Sequence, residues 1–213
     1  PYQSIMPDMF SEPQRLLAIG ASPRPGGNTD AMLKWIVEGA ASVGQAMAVV
    51  QLRDVLVLPC IGCERCRRDK RCTGRTDAMQ LLYPLIEAAE GLVLASPTHH
   101  YNVTAWMKAF IDRLYCYYDF SDHRPRRWSS RLAGRGRRAL VCTVAEQPAT
   151  EDLGFTLEAM ARPLTAAVYA GIPCWPNGCV PPAPAWPVSA QGMPMMLENF
   201  LLPSLATKMN RRR

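Results

Sequence analysis

The chain has 213 residues, 48% of them hydrophobic, and a formal net charge of +6. This length and composition favour a soluble protein with one domain and a substantial core, and no run of about twenty apolar residues predicts a membrane span. Eight cysteines without a recognisable export signal favour a reducing cytoplasm, where thiols serve metals or redox chemistry more often than disulfides. We therefore expect a cytoplasmic protein with a loose arm at residues 1–13 and a single domain over 14–210.

The start of the chain predicts a strand, a loop and a helix. Residues 15–21 are a nearly continuous apolar run, as in a parallel strand buried on both faces. Residues 22–29 contain the prolines and glycines of a loop, and helical apolar spacing continues after them to about Gly44. We expect Asn28 or Thr29 to cap this helix.

The loop 22–29, with the sequence SPRPGGNT, has the character of a phosphate-binding site. Its glycines allow close backbone approach, the hydroxyls of Ser22 and Thr29 can donate, and a helix N-terminus favours negative charge. Arg24 can add a charge-assisted hydrogen bond. The loop matches neither of the glycine-rich nucleotide motifs, so a capping loop without a ligand is an alternative at this point.

A second strand at 47–52 leads through 55–58 into a segment, 59–75, that contains four cysteines. Their spacing is C-x2-C-x2-C-x5-C, and they are Cys60, Cys63, Cys66 and Cys72. Such spacing lets one loop turn four thiolates toward a common centre, as an iron–sulfur cluster requires. Positive charge around them is expected to lower the pKa of the thiols and offset the charge of a cluster. It comes from Arg65, Arg67, Arg68, Lys70, Arg71 and Arg75.

Other interpretations of the four cysteines are open. A zinc site usually draws its ligands as two pairs from separated segments, which this run does not do. A disulfide knot is poorly supported in a chain of this size without a secretory signal, and chance clustering of reduced cysteines is the third alternative. The final x5 spacing also departs from the x3 of bacterial ferredoxins. We interpret the cysteines as ligands of a single [4Fe–4S] cluster.

The middle of the chain continues the alternation of helices and strands. Residues 77–89 predict a helix and 91–96 a third buried strand. A polar and aromatic loop follows at 97–102, and after it the segment 103–114 has the clearest amphipathic stripe in the chain.

The loop after the third strand suits a planar ligand. We expect His99 and Tyr101 to lie against a ring system, and Asn102 to form hydrogen bonds with its edge. A surface or capping role is the alternative for His99 and His100 taken singly. Adjacent side chains of an extended segment point to opposite faces, which argues against these two histidines as joint metal ligands.

The last third of the chain is less regular. We expect Pro163 to kink or split the helix in which it lies. The expected elements are an arginine-rich connection at 119–138, a fourth strand at 139–144, a helix at 152–169, a short fifth strand within 172–180, a proline-rich segment at 173–187 and a last helix at about 191–209.

Alternating strands and helices predict an α/β fold. The best fit is a flavodoxin-like, doubly wound, five-stranded parallel sheet of order 2-1-3-4-5, with the cysteine-rich cluster loop after strand 2. Ligands of such sheets bind beyond the carboxyl ends of the strands. The loops 22–29, 97–102 and 145–150 occupy that edge, and we expect the cysteine loop to lie there too.

Several motifs, in this order, resemble those of the iron–sulfur flavoproteins within the flavodoxin-like NAD(P)H-dependent FMN reductase group. The resemblance covers roughly residues 15–144. One departure is His99, where relatives often have tyrosine, so stacking would be weaker and the ring could titrate near neutral pH. The motifs are Gly20-Ala21-Ser22-Pro23-Arg24 with Gly27-Asn28-Thr29, the cysteine run, Ser96-Pro97-Thr98, Tyr101-Asn102-Val103-Thr104-Ala105 and Lys108-Ala109-Phe110-Ile111-Asp112-Arg113.

The resemblance implies two cofactors, FMN and a [4Fe–4S] cluster on the four cysteines, and assembly into a homodimer or homotetramer. It implies an oxidoreductase that transfers electrons between a two-electron donor and one-electron carriers, with ferredoxin or NAD(P)H as redox partner. No acid–base catalytic residue is assigned. The residues expected at FMN are Ser22, Arg24, Gly27, Asn28, Thr29, Pro97, Thr98, His99, Tyr101, Asn102, Ala145 and Glu146.

Two other functions are alternatives. The first is an NAD(P)H-dependent FMN reductase that acts on quinones, metal oxyanions or nitro compounds and holds no cluster. The second is a nucleic-acid binder that uses the arginines of 124–138. The chain has no recognisable nucleic-acid-binding fold and no aromatic platform beyond Trp128, which disfavours the second function.

Overall fold

The computed structural model describes residues 15–147 and 149–166. Its helices are α1 (Asn28–Ser42), α2 (Arg65–Asp69), α3 (Met79–Ala88), α4 (Ala105–Arg113) and α5 (Thr156–Ala166), with 3-10 turns at Leu114–Tyr117 and Thr150–Leu153. Its strands are β1 (Leu16–Gly20), β2 (Met47–Gln51), β3 (Gly91–Pro97), β4 (Tyr118–Phe120), β5 (Trp128–Ser130) and β6 (Arg138–Val144).

The centre of the fold is a parallel sheet with the order β2-β1-β3-β6 among the described residues. This is the predicted order for the first four parallel strands, and the predicted α/β class with a parallel sheet is confirmed. The expected fifth strand, the proline-rich segment, the last helix and the N-terminal arm lie outside the described residues.

Strand β1 shows why the sheet is covered on both sides. Its five residues are all buried, and they alternate between two apolar clusters. Leu17 and Ile19 pack in the cluster that includes side chains of α3, α4 and α5, whereas Leu16 and Ala18 pack with side chains of α1. A strand buried on both faces has an apolar side chain at every position, which is the pattern in the sequence.

Two predicted helix boundaries were wrong. The N-cap of α1 is Gly27, in extended conformation, rather than Asn28 or Thr29, which both lie inside the helix. The helix expected from residue 152 begins at Thr156 instead, because Gly154 has a φ of 53° and separates it from the preceding 3-10 turn. Pro163 lies inside α5, so the break falls at the glycine and not at the proline.

The segment 119–138 was predicted as an arginine-rich connection, without the two short strands that the structure shows there. Strands β4 and β5 pair antiparallel, with Phe120 opposite Trp128, and form a short ribbon. The buried Arg137 then donates hydrogen bonds of 2.7 and 2.6 Å to the carbonyls of Ile86 and Ala89, at the end of α3. Three-residue strands are too short to give a periodic signal, and a buried arginine looks like a surface arginine in the sequence.

None of the helices in the described part of the chain combines the length and the apolar character that crossing a bilayer requires.

Candidate functional site

Loops at the carboxyl edge of the sheet are joined by hydrogen bonds. The hydroxyl of Thr104, the N-cap of α4, donates to the carbonyl of Ala21 at 3.0 Å and so connects the loop after β3 with the loop after β1. The amide of Thr98 donates to the carbonyl of Val144 at 2.9 Å, which connects the same loop with the end of β6. The predicted flavin residues Ala145 and Glu146 follow directly, so the three loops meet at one edge.

The loop 22–29 is a tight turn around the buried Ser22. Its hydroxyl oxygen accepts from the amide of Arg24 at 3.2 Å, and the amide of Gly27 donates to the carbonyl of Arg24 at 3.3 Å. Gly26 has a φ of 69°, a conformation that favours glycine. The hydroxyl of Ser22 therefore braces the loop.

An ion pair that the sequence did not reveal forms hydrogen bonds with the backbone of this loop. The guanidinium of Arg53 donates to both carboxylate oxygens of Asp30, at 2.9 and 2.8 Å, and to the carbonyl of Ser22 at 3.1 Å. Asp30 also accepts from the amide of Gly26 at 2.8 Å. Arg53 thus balances a carboxylate that would otherwise repel an anion at the N-terminus of α1.

The geometry of this loop fits a phosphate group. The start of α1 has no hydrogen bond from a capping side chain, so its first amides point outward without a side-chain acceptor. Arg24 and Asn28 are exposed there, and Thr29 is buried in the first turn. Such a helix start, with a cation and an amide beside it, is suited to an anion.

The loop after β3 is a turn and not the extended segment that was expected. The amide of His99 donates to the carbonyl of Asn102 at 2.7 Å, and the amide of Asn102 donates back to His99 at 3.1 Å. His100 and Tyr101 both have positive φ, 49° and 64°. His99 and His100 therefore do not lie in a regular extended segment, so alternation of side chains between opposite faces does not exclude them as joint metal ligands.

The tip of this turn is exposed and is supported by residues 154 and 155, which the sequence predicted as part of a helix. Tyr101 is 55% exposed, and its carbonyl accepts from the amide of Phe155 at 2.8 Å. A Cβ at Gly154 would lie 2.3 Å from the same carbonyl oxygen, so only glycine fits there. The side-chain oxygen of Asn102 accepts from the amide of Val103 at 2.8 Å and shapes the turn.

The four cysteines of the run line one open cavity of about 360 Å³. Cys60 and Cys63 are exposed, and Cys66 and Cys72 are partly buried. The remaining residues around the cavity are Ile61, Gly62, Glu64, Gly74, Arg75, Asp112 and Tyr115. The four thiols that the sequence places in one short run therefore surround one cavity.

Backbone conformation explains how so short a loop surrounds a cavity. Gly62, Glu64 and Lys70 all have positive φ, between 53° and 65°, and these turns enclose the short helix α2 that contains Cys66. The entrance of the loop is fixed at Leu58, whose amide donates to Asp77 and whose carbonyl accepts from Arg113.

The pair of Asp77 and Arg113 is buried and connects the cysteine loop to α4. Two hydrogen bonds of 2.6 and 3.1 Å join the side chains, and neither side chain is exposed. Burial raises the pKa of Asp77, but the hydrogen bonds from Arg113 and from the amides of Leu58 and Met79 outweigh it and leave the pKa below its ordinary value. The carboxylate is thus the stable form in the fold.

The cavity fits an iron–sulfur cluster by its donor set and its shape. Gly74 leaves room for a sulfur, because a Cβ there would lie 2.5 Å from Sγ of Cys63. Among the described residues, no three histidine, cysteine or acidic side chains converge on a point that could hold one metal ion. A cubane cluster needs no such convergence, since its four thiolates bind four different irons.

The pKa of the thiol of Cys66 is raised, first by burial and then by the charges of Cys72, Cys60 and Cys63. The expectation that surrounding arginines lower the thiol pKa is therefore wrong at Cys66. Burial of the Cys66 thiol and, after it, repulsion between the neighbouring thiolates outweigh any lowering of its pKa by the basic side chains. A bound cation would relieve that repulsion.

The cysteine cavity and the edge loops lie at opposite ends of α4. Thr104 caps its start beside the edge loops, whereas Asp112 and Tyr115 line the cysteine cavity at its end. The nine residues of α4 correspond to about 13 Å at 1.5 Å per residue. The cysteine loop leaves the sheet at the expected edge, but its cysteines lie away from that edge.

Two further cysteines are buried thiols. Cys116 and Cys142 are 2% and 8% exposed, and burial raises the pKa of Cys116 to about 12. Neither lines the cysteine cavity. Cys174 and Cys179 lie outside the described residues.

The parallel sheet of order β2-β1-β3-β6 is typical of the flavodoxin-like class. At its carboxyl edge lie the loop 22–29, which is suited to an anion, and the aromatic turn 97–102. Residues 14–149, more than half of the chain, match the family of NADPH-dependent FMN reductases. The chain belongs to this family, which confirms the family identified from the motifs.

The chain is also similar to curated proteins named iron-sulfur flavoprotein. One from Archaeoglobus fulgidus is 35% identical over 111 residues, which cover 52% of this chain and 48% of that protein. One from Methanocaldococcus jannaschii is 32% identical over 99 residues, which cover 46% of this chain and 51% of that protein. The chain spans about half the length of the curated relatives it matches.

A solved structure gives the same fold. It is an FMN-dependent NADH-azoreductase from Bacillus anthracis in complex with FMN, with a TM-score of 0.53 and 15% sequence identity. The similarity covers 74% of this chain and 83% of that chain. At this identity the comparison supports the flavodoxin-like fold alone.

Proposed function

We propose that this chain is an FMN- and [4Fe–4S]-containing redox flavoprotein that transfers electrons between a two-electron donor and one-electron carriers. The observation that carries the proposal is the single cavity lined by the four cysteines, in a chain of the FMN reductase family. When bound, FMN would exchange electrons in pairs or singly, and the cluster would exchange them singly.

The residues of the edge loops have distinct roles in this proposal. Arg24 and Asn28 bind the FMN phosphate with the first amides of α1, while Arg53 keeps Asp30 neutralised behind them. Tyr101 covers one face of the ring. Thr98 and Thr104 hold the three loops in register through their bonds to Val144 and Ala21.

The redox partner is proposed to be ferredoxin or NAD(P)H. Exposed arginines beside the cysteines, Arg65, Arg68 and Arg71, favour an acidic carrier protein at that end of the molecule. The family name supports a nicotinamide nucleotide as the two-electron donor at the flavin.

The second candidate function is an NAD(P)H-dependent FMN reductase for quinones, metal oxyanions or nitro compounds, without a cluster. The family match and the exposure of Cys60 and Cys63 favour it, because exposed thiols are also compatible with a loop that holds no metal. An anaerobic spectrum with iron and flavin counts separates the two functions.

The proposed function predicts brown protein with about four irons and one FMN per chain. Replacing Cys63 with Ala should abolish the cluster absorbance and retain FMN, whereas replacing the buried Cys142 with Ala should leave the iron content unchanged. Yellow protein with FMN and no iron, even after anaerobic cluster reconstitution, would establish the reductase function instead.

The double variant Arg24→Ala/Asn28→Ala tests the flavin loop. Loss of a charge-assisted bond, worth about 1.5–3 kcal/mol, should weaken FMN binding tenfold or more in a fluorescence titration. The control Lys34→Ala removes a charge from the exposed side of α1 and should leave the affinity unchanged. Unchanged FMN affinity with weaker dinucleotide binding would assign the loop to a different phosphate.

A further inference from the structure

Arg75 carries a buried nitrogen that lacks an acceptor. It lines the cysteine cavity, three positions after Cys72, and its Nε has no hydrogen-bond partner within residues 15–147 and 149–166. A buried N–H without an acceptor is costly, so native structures nearly always provide one. Within the same described residues, the Nε atoms of Arg113 and Arg137 also lack an acceptor, but of these three arginines only Arg75 lines the cysteine cavity, where a bound group can supply one.

The acidic side chains around the cavity are already paired with other cations. Glu64 pairs with Arg67 at 3.0 Å, and Asp69 pairs with Arg68 at 2.7 Å. Asp112, on the cavity wall, pairs with Lys108 at 2.5 Å. These carboxylates are thus engaged with other cations, and a group bound in the cavity is the candidate acceptor for Arg75.

The backbone of Arg75 is fixed relative to the cysteines. The side-chain amide of Gln80 donates to the carbonyl of Cys72 at 3.0 Å and to the carbonyl of Arg75 at 3.1 Å. Gly74, between them, lies directly against the sulfur of Cys63. Arg75 is thus held at the wall of the cavity by the same contacts that place two of the cysteines.

We propose that Arg75 donates its Nε–H to a sulfur of the cluster and raises the reduction potential of that cluster. This inference rests on the proposed function. Reduction adds one electron and no other charge to the cluster, so a nearby cation and hydrogen-bond donor stabilise the reduced form more than the oxidised form. Removal of the guanidinium therefore lowers the potential.

The test is an anaerobic redox titration of the full chain, followed by electron paramagnetic resonance, with iron counted in every sample. Arg75→Met removes the donor and the charge, and Arg75→Lys keeps the charge without the Nε–H. Arg68→Met is the matched control, because Arg68 is an exposed arginine of the same loop and does not line the cavity. The flavin potential serves as an internal reference.

Arg75→Met should disfavour cluster reduction at least tenfold, which is about 59 mV for one electron, and leave the flavin potential unchanged. Arg75→Lys should fall between Arg75→Met and the wild type, and Arg68→Met should change the equilibrium less than threefold. Equal potentials in Arg75→Met and Arg68→Met overturn the proposal. If Arg75→Lys has the wild-type cluster potential, the proposed hydrogen bond from Nε–H to the cluster is wrong.

Loss of iron from both Arg75 variants also overturns the inference, because Arg75 would then be required to build the site rather than to tune it. A failure of the wild-type protein to take up iron would be a different result, because it concerns the proposed function and not Arg75. That result removes the proposed cluster function and is seen before any variant is compared.

Discussion

Gly74 is a single residue whose missing side chain shapes the cysteine cavity. A methyl group there would overlap the sulfur of Cys63, which lies 2.5 Å from the ideal Cβ position. A shift of Sγ of Cys63 away from that methyl group would change its position in the cavity. The sequence shows a glycine after the fourth cysteine but gives no reason for it, because the contact is across the loop.

We predict that Gly74→Ala reduces the iron content to less than half of the wild-type value after reconstitution, while FMN stays bound at the other end of α4. Iron assay and flavin absorbance on the same sample measure both effects. Thr76→Ala, an exposed position of the same segment, should retain full iron. Full iron in Gly74→Ala would show that the loop adapts to the extra methyl group.

Asp77 and Arg113 make the stability of the fold depend on pH. The pKa of Asp77 is lowered in the fold, so its contribution is present above the unfolded pKa of about 3.9 and is lost as pH falls through the lower, folded value. Breaking a buried pair typically costs about 3–5 kcal/mol.

Asp77→Asn should therefore lower the free energy of unfolding by about 3–5 kcal/mol at pH 7, measured by urea denaturation. Its difference from the wild type should shrink below about pH 4, since the protonated wild-type side chain then also lacks the charge. The exposed Asp122→Asn should change stability by less than about 0.5 kcal/mol at either pH. A difference that is independent of pH would contradict the assigned charge of Asp77.

At the scale of elements, the β4–β5 ribbon packs against the cysteine loop. Lys70, at the end of α2, pairs with Asp119 of β4, and its carbonyl accepts from Arg131. Arg131 also donates to the carbonyl of Cys116 at 2.6 Å. A basic segment that could be interpreted as a surface patch in sequence thus contains a residue that joins two parts of the structure.

Aromatic side chains complete this contact. The ring of Phe120 stacks on Tyr115, with centroids 5.1 Å apart, and the guanidinium of Arg67 lies 5.4 Å from the centre of the same ring. Tyr115 is also part of the cavity wall. The ribbon therefore supports both α2 and one side of the cysteine cavity.

We predict that Arg131→Ala makes the cluster leave about ten times faster in the presence of an iron chelator, because two carbonyls lose a donor worth about 1–3 kcal/mol. Decay of the cluster absorbance measures the rate. Arg127→Ala, at an exposed arginine of the same segment, should decay like the wild type. Equal decay rates in Arg131→Ala and Arg127→Ala would show that the contact between the ribbon and the cysteine loop does not stabilise the cluster.

At the scale of the whole molecule, the exposed side of α4 points to self-association. Met107 and Phe110 are fully buried in the core, whereas Trp106 is 38% exposed on the other side of the helix. A partly exposed tryptophan is a common centre of a protein interface. We therefore keep the predicted homodimer or homotetramer as a proposal, with α4 at its interface.

Light scattering over a dilution series should show an oligomer at micromolar concentration, and Trp106→Arg should shift it to monomer by at least a tenfold higher dissociation constant. The charge would be desolvated at the centre of the interface, which is unfavourable. Trp128→Arg, another exposed tryptophan, should keep the wild-type assembly. A wild-type monomer throughout the series would contradict the proposal.

The sequence by itself determined the elements whose signals are local. Apolar runs predicted β1 and β3, helical spacing predicted α1 and α4, and the cysteine spacing predicted the four thiols that share a cavity. These signals depend on neighbours within a few positions. The pattern of apolar residues shows directly whether a strand is buried on both faces or a helix on one face.

Only the tertiary structure decided which polar side chains became structural. Arg53, Arg113, Arg131 and Arg137 look alike in the sequence, yet each donates to a group 15 to 55 positions away. The position of the cysteine cavity at the far end of α4 was also hidden, because loop residues carry no periodic signal. Contacts between distant segments depend on how the whole chain packs, and a single sequence does not record which of its arginines will find a buried carbonyl or carboxylate.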